Sequence, residues 1–211
     1  RLIDFTSRLL DGSTAPVAPI ATLSQQGDQQ KIEVTGLAVF KGDRMIGRLT
    51  ANQALAFAWS MGRTQNCFLE VPSDLGNAVL QMTNLTIKRD VALRPDGGVK
   101  VTLSVDTSLI VGELDGFSDI PIDQLLPYLT EQAQKTIHAR MMDCFDAARG
   151  LNADIYGFGT SVYRKYPKQW KGMEGQWDQL FPDIELQIDV KVDLPATGQI
   201  LNSVAMEGNV P

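Results

Sequence analysis

Between Asp183 and Leu194 the apolar residues fall on every second position: Ile184, Leu186, Ile188, Val190, Val192 and Leu194 alternate with Glu185, Gln187, Asp189, Lys191 and Asp193. Successive side chains of a strand point to opposite faces, so this alternation predicts a strand with one face buried and the other in water. The same period runs through Val99, Val101, Leu103 and Val105, set between Lys100, Thr102 and Ser104, within a predicted strand from Val99 to Val111. Strands are also predicted over Phe68–Val71 and Ala78–Lys88. Ile32–Phe40 and Arg44–Leu49 read as a hairpin about Lys41-Gly42-Asp43.

From Pro121 to Gly150 the period changes. Ile122, Leu125, Leu126, Leu129, Ala133, Ile137, Met141, Cys144 and Ala148 recur at intervals of three and four, one stripe of a long helix. Asp119 is placed as its cap and Gly150 as its stop, while Pro127 is expected to kink or restart its first turns. Thr50 followed by Gln53 forms a capping-box pattern ahead of Ala54–Trp59, which predicts a short helix. A further helix is predicted from Ile155 to Tyr166, before Pro167.

The stretch before Lys31 is rich in turn residues (Asp11-Gly12-Ser13-Thr14-Ala15-Pro16, Pro19 and Gln25 to Gln30) and reads as a connector with one short strand. The expected organisation is therefore the end of a preceding module over 1–31 and one domain over 32–211. Strands, then helices, then a strand returning to the sheet describe an α+β domain, an antiparallel β-sheet packed against a long α-helix and shorter helices.

Composition narrows the functional classes. Of 211 residues, 44% are hydrophobic and 21% charged, the balance of a chain that buries an ordinary core. The net charge of −6 supplies no basic field for phosphates, so no nucleic-acid partner is expected. The most apolar stretch, Leu49 to Trp59, is interrupted by Asn52 and Gln53 and falls short of the roughly 20 apolar residues of a spanning helix. The first residue is Arg1 and no leader follows it, which puts any targeting segment upstream. Cys67 and Cys144 show neither redox nor metal spacing; they read first as two buried thiols, with a disulfide as the alternative that compartment decides.

Candidates for chemistry are few. His138 is the one histidine and lies at the border of the helical stripe, where a packed or hydrated side chain is the ordinary outcome. Glu113, Asp115, Asp119 and Asp123 lack the alternate ligands and closing glutamate of a calcium loop, and carboxylates ahead of a helix are favoured by its dipole in any case. Gly157-Phe158-Gly159-Thr160-Ser161-Val162 has part of a dinucleotide fingerprint, but Val162 stands at the third glycine. No catalytic residue, cofactor or metal is predicted. One stretch differs from the rest of this acidic chain: Arg164, Lys165, Lys168 and Lys171 are interleaved with Tyr163, Tyr166, Trp170 and Trp177. Such a patch suits an anionic membrane surface or a protein partner; equally, the aromatics are core wedges and the lysines merely solvated.

Asp154-Ile155-Tyr156-Gly157-Phe158-Gly159, Tyr163-Arg164-Lys165-Tyr166-Pro167-Lys168-Gln169-Trp170, Trp177, Phe181-Pro182 and the strand after Asp183 resemble, in order and spacing, the C-terminal domain of the Ger(x)C (GerAC-like) spore-germination lipoproteins. Gly36-Leu37-Ala38-Val39-Phe40 through Leu49 is similar to a hairpin of the same family. The resemblance runs from Gly36 to Ser203, in pattern more than in letters over Asn66–Gly150. It implies a non-catalytic C subunit of a nutrient germinant receptor, held by an N-terminal lipid (palmitate) to the outer face of the inner spore membrane beside integral-membrane A and B subunits. The lipidated cysteine is neither Cys67 nor Cys144. No catalytic residue is assigned in the family, so none carries over. In that frame Gly157 and Gly159 serve a tight turn, Pro167 ends a helix, and Tyr163, Arg164, Lys165, Tyr166, Lys168, Trp170 and Lys171 are the candidate membrane or partner surface. The alternative is an extracytoplasmic binding module for a small germinant or cell-wall fragment, which requires a concave apolar pocket with convergent polar groups.

Overall fold

The computed structural model describes residues 14–26, 29–64, 66–117 and 120–195. The predicted turn residues Asp11–Ser13, the predicted cap Asp119 and the end of the resemblance beyond residue 195 lie outside the described residues.

The α+β class is what the chain adopts, with its strands divided between two sheets. Strands β1 (Val17–Gln26), β2 (Gln29–Lys41) and β3 (Arg44–Thr50) form a three-stranded antiparallel sheet in that order. The short strand expected in the connector is ten residues long and pairs with β2 along its whole length, from Val17 opposite Val39 to Gln26 opposite Gln29. Pro19 interrupts nothing there, because β1 is an edge strand on which a missing N–H costs no ladder bond. Helix α1 (Ala51–Ser60) follows β3 directly. Its start is the predicted capping box: Thr50 Oγ1 accepts from the Gln53 amide and Gln53 Oε1 accepts from the Thr50 amide.

The second sheet has the order β4 (Cys67–Ser73), β5 (Gly76–Leu93), β6 (Val99–Asp115) and β7 (Glu185–Asp193). Both β5 and β6 run further than predicted, to Leu93 and Asp115, because the charged run Lys88-Arg89-Asp90 and Gly112-Glu113 hid the alternation that backbone pairing continues through. Helix α2 (Ile122–Gly150) runs through Pro127 without a break. The carbonyl that loses its donor belongs to Asp123, and both residues are exposed, so water can serve it. After α2 come α3 (Phe158–Lys165), α4 (Pro167–Met173) and the four-residue α5 (Trp177–Leu180), the last flanked by single 3-10 turns.

The chain divides into two compact units, one of residues 1–61, 89–103 and 140–187, the other of 62–88, 104–139 and 188–211. Strands β5, β6 and β7 and helix α2 contribute residues to both. In the second unit the buried residues are the in-facing set of the strands, among them Leu69, Leu80, Met82 and Leu109, and the α2 stripe Leu125, Leu129, Ala133 and Ile137. The first unit is aromatic at its centre. Phe145 of α2 lies 6.1–6.2 Å from the rings of Tyr156, Phe158 and Phe181, and Tyr156 stacks on Phe158 at 5.0 Å. Arg89 lies over Phe158 and donates to the Tyr156 carbonyl at 2.8 Å, so a cation of β5 closes this cluster.

Candidate functional site: a buried carboxylate beneath a basic rim

The segment that carries most of the family resemblance is built on one carboxylate. Asp154, 5% exposed, follows the turn that leaves α2. Its Oδ1 accepts from the Phe158 amide at 3.0 Å, and its Oδ2 accepts from the Gly159 amide at 2.8 Å and from Trp177 Nε1 at 3.2 Å. The first N–H groups of a helix have no intrahelical acceptor, and here a side chain from before the turn supplies it. Burial pushes the Asp154 carboxyl above its ordinary range, against these bonds, which favour the charged form. This remote cap also corrects the predicted helix start: α3 begins at Phe158 rather than Ile155. Ile155 and Tyr156 turn inward as core residues, and the Tyr156 hydroxyl donates to Cys144 Sγ at 3.1 Å.

Gly157 has φ +71°, the left-handed conformation that side-chained residues avoid. Gly159 lies inside α3. A Cβ there would come within 2.9 Å of Trp170 Cη2 and of Trp177 Nε1, so its bareness admits the two indoles. Those rings meet edge to face, 5.2 Å between centroids. Pro167 is the first residue of α4. The residue before a proline is driven from the helical region, and Tyr166 at φ −132° ends α3 there.

The candidate surface residues divide accordingly. Trp170 is buried, the correction to its predicted place on the surface, because Pro167 and Gly159 turn it beneath the segment onto Trp177. Tyr166 is half-buried. Tyr163, Arg164, Lys165, Lys168 and Lys171 are exposed, Tyr163 to 54%. Lys165 is engaged within the fold: its Nζ donates to Asp90 Oδ1 at 2.5 Å and to the Val91 carbonyl at 2.8 Å. The bond to Asp90 raises the lysine's pKa and lowers the aspartate's. Of the two expectations for this stretch, the core-wedge one holds for Trp170 and Trp177; Tyr163, Arg164, Lys168 and Lys171 are exposed and make up the outward rim that is the candidate surface.

Beside the indoles lies a cleft of about 370 Å³. It is bounded by the Lys41-Gly42 turn, the residues leading into β1, Asp154, and the segment from Trp170 to Phe181.

The remaining candidates are not assembled. His138, Glu113, Asp115 and Asp123 are exposed, and no three histidine, cysteine or acidic residues are grouped to hold a metal among the described residues. The amides of Phe158 and Gly159, which a phosphate at the glycine-rich stretch would need, are taken by Asp154. Both cysteines are free. Cys144 is buried, its thiol pushed up to about 11 by burial, and Cys67 is half-buried rather than buried as predicted. No helix among the described residues is long and apolar enough to cross a membrane. Sequence reasoning missed Asp154, Arg89 and Asp90; an acidic residue just ahead of Gly-Phe-Gly was a legible cap signal for the first, whereas nothing local marks the other two.

The fold is that of a solved protein. The crystal structure of the GerBC protein superimposes with a TM-score of 0.77 over 93% of this chain and 61% of that one, at 15% identity. The chain matches the family described as "Spore germination B3/GerAC like, C-terminal" over residues 35–198, and it belongs to that family. Spore germination protein KC of Bacillus subtilis (strain 168) is 25% identical over 166 residues, 77% of this chain and 40% of that protein. The chain thus spans under half the length of that curated relative.

Proposed function

We propose that this chain is the C-terminal domain of a lipid-anchored, non-catalytic C subunit of a nutrient germinant receptor. In this reading it acts in spore germination by contact at the outer face of the inner spore membrane, beside the integral-membrane A and B subunits. Residues 1–31 are then the end of the preceding module. The family match supports the setting. The observation that carries the contact role is the outward rim of Tyr163, Arg164, Lys168 and Lys171, held from beneath by Trp170, Trp177 and Asp154. Aromatic and arginine side chains carry much of the energy of protein interfaces, and a rim whose supporting backbone is already held by buried groups loses little backbone entropy on docking.

The engagement of Lys165 with Asp90 and Val91 sets the form of the test. Charge reversal at Arg164, Lys168 and Lys171, with Lys165 left in place, alters the rim and spares the fold. In co-purification of the full-length lipoprotein with its membrane subunits, this triple variant is expected to lose the complex while keeping the wild-type unfolding midpoint. A complex recovered at wild-type yield would remove the rim from the docking surface.

A further inference from the structure

The cleft beside Trp170 and Trp177 has a chemistry opposite to that of the basic rim. Its walls are mixed, with apolar side chains from Trp170, Trp177, Phe181 and Pro16 beside polar ones such as Thr14 and Asn152, and its ionisable groups are Lys41, Asp154, Glu174 and Asp178. Asp154 has its oxygens occupied by Phe158, Gly159 and Trp177, so it is a fixed acidic end rather than an available partner. Lys41 Nζ and Asp178 Oδ2 pair at 2.8 Å, with 45% and 63% of the two side chains exposed. Glu174 is exposed and has no ion-pair partner among the described residues. Even without Asp154, two carboxylates face one ammonium.

Indole rings attract cations through their quadrupole, and carboxylates beside apolar walls act in a lower effective dielectric than in water. An anion entering the cleft would meet a net negative field; an amine would meet two carboxylates and two indoles. We infer that this cleft is a binding site for a small organic ammonium compound, held by Glu174 and Asp178 against Trp170 and Trp177. The volume, about 370 Å³, falls within the roughly 300–1,000 Å³ of small-molecule sites. Lys41, once Asp178 is shared with the ligand, is free to take a carboxylate carried by the same molecule. The inference does not depend on the docking role: the rim uses the exposed side chains at 163, 164, 168 and 171, and the cleft is lined by none of them.

The test is titration of the purified chain, followed by the three indole N–H resonances of Trp59, Trp170 and Trp177. The probes are ethanolamine hydrochloride, glycine and sodium acetate at constant ionic strength. Trp170 and Trp177 are expected to shift saturably with ethanolamine and glycine, with dissociation constants of about 1 mM, and not with acetate. Trp59, fully buried in α1, is the internal reference. Glycine binding more tightly than ethanolamine would support the site with Lys41 as carboxylate partner. Glu174→Gln combined with Asp178→Asn, both at exposed positions, is expected to weaken binding at least about tenfold while leaving the Trp59 resonance in place. Shifts that never saturate, that move Trp59 equally, that persist unchanged in the double variant, or that follow acetate in preference would each overturn the assignment.

Discussion

Among the described residues two helices, α1 and α3, begin on side-chain oxygens, and the two beginnings differ in depth. At α1 Thr50 Oγ1 accepts from the Gln53 amide at 3.3 Å and Gln53 Oε1 returns the favour to the Thr50 amide at 3.0 Å, both in contact with solvent. At α3 a buried carboxylate accepts from two amides and from an indole 23 positions further on. The backbone requirement is the same, since first-turn N–H groups lack intrahelical acceptors. The consequence of losing the acceptor is not. At α1 water replaces the lost oxygen; at α3 the carboxylate is only 5% exposed, so water replaces it poorly, and the same carboxylate also ties down the segment that carries the rim. A cap in solvent stabilises one helix turn, whereas a buried cap is a tertiary anchor.

The strongest way to break this contrast is Asp154→Ala. It orphans the Phe158 and Gly159 amides and the Trp177 indole N–H together, and buried donors left unsatisfied cost roughly 1–3 kcal/mol each before relaxation. The expected loss in urea unfolding is about 3–4 kcal/mol, with faster amide exchange over 158–183. A loss under about 1 kcal/mol would mean that the site admits water and is no different from an exposed cap.

Asp154→Asn separates charge from shape. Burial, the dominant influence, raises the folded carboxyl above its unfolded value of about 3.9, so between the two values the folded chain holds a proton that the unfolded chain has released. The stability this raised value contributes is fully present below about pH 3.9 and is lost as pH rises through the folded pKa. Wild type should therefore gain on the asparagine variant toward pH 4 and lose ground to it as the pH rises. The opposite slope would show that the bonds from Phe158, Gly159 and Trp177 outweigh burial.

Gly159→Ala comes next. The added methyl meets Trp170 and Trp177 at 2.9 Å, and overpacking of this kind costs about 1–3 kcal/mol. Near-ultraviolet circular dichroism of the indole pair should change with it. Full stability would show that Trp170 has room to move and that the anchor is looser than its geometry.

How much of this was readable in the chain follows from the range of each interaction. The α2 stripe, the β6 alternation and the Thr50–Gln53 box are repeats or pairs within four positions, and periodicity alone finds them. Gly157, Gly159 and Pro167 were visible as punctuation, but what Gly159 accommodates is set by Trp177, 18 positions away in the sequence (177 − 159). Lys165 reads like any other cation of its segment, because Asp90 and Val91 lie 75 and 74 positions earlier. The predicted α3 start was three residues early for the same reason: Ile155 and Tyr156 continue a helical apolar spacing, and only the contacts of Asp154 and Cys144 show that they belong to the turn and the core.

Thr50→Ala carries the smallest expected effect and calibrates the rest. It removes the hydroxyl from the Gln53 amide and leaves Gln53 Oε1 its bond to Thr50's own N–H, so one donor out of the box returns to water. Exposed caps of this kind are worth about 1 kcal/mol. Gln53 Nε2 also donates to Asp143 Oδ2 at 3.1 Å in solvent, a contact too exposed to add much. The unfolding free energies of Thr50→Ala and Asp154→Ala, measured side by side, therefore give the part of the Asp154 contribution that comes from burial and from holding Trp177. Equal losses would reduce Asp154 to an ordinary cap and detach the rim from it; a difference of about 2 kcal/mol or more would make that carboxylate the residue on which the whole segment depends.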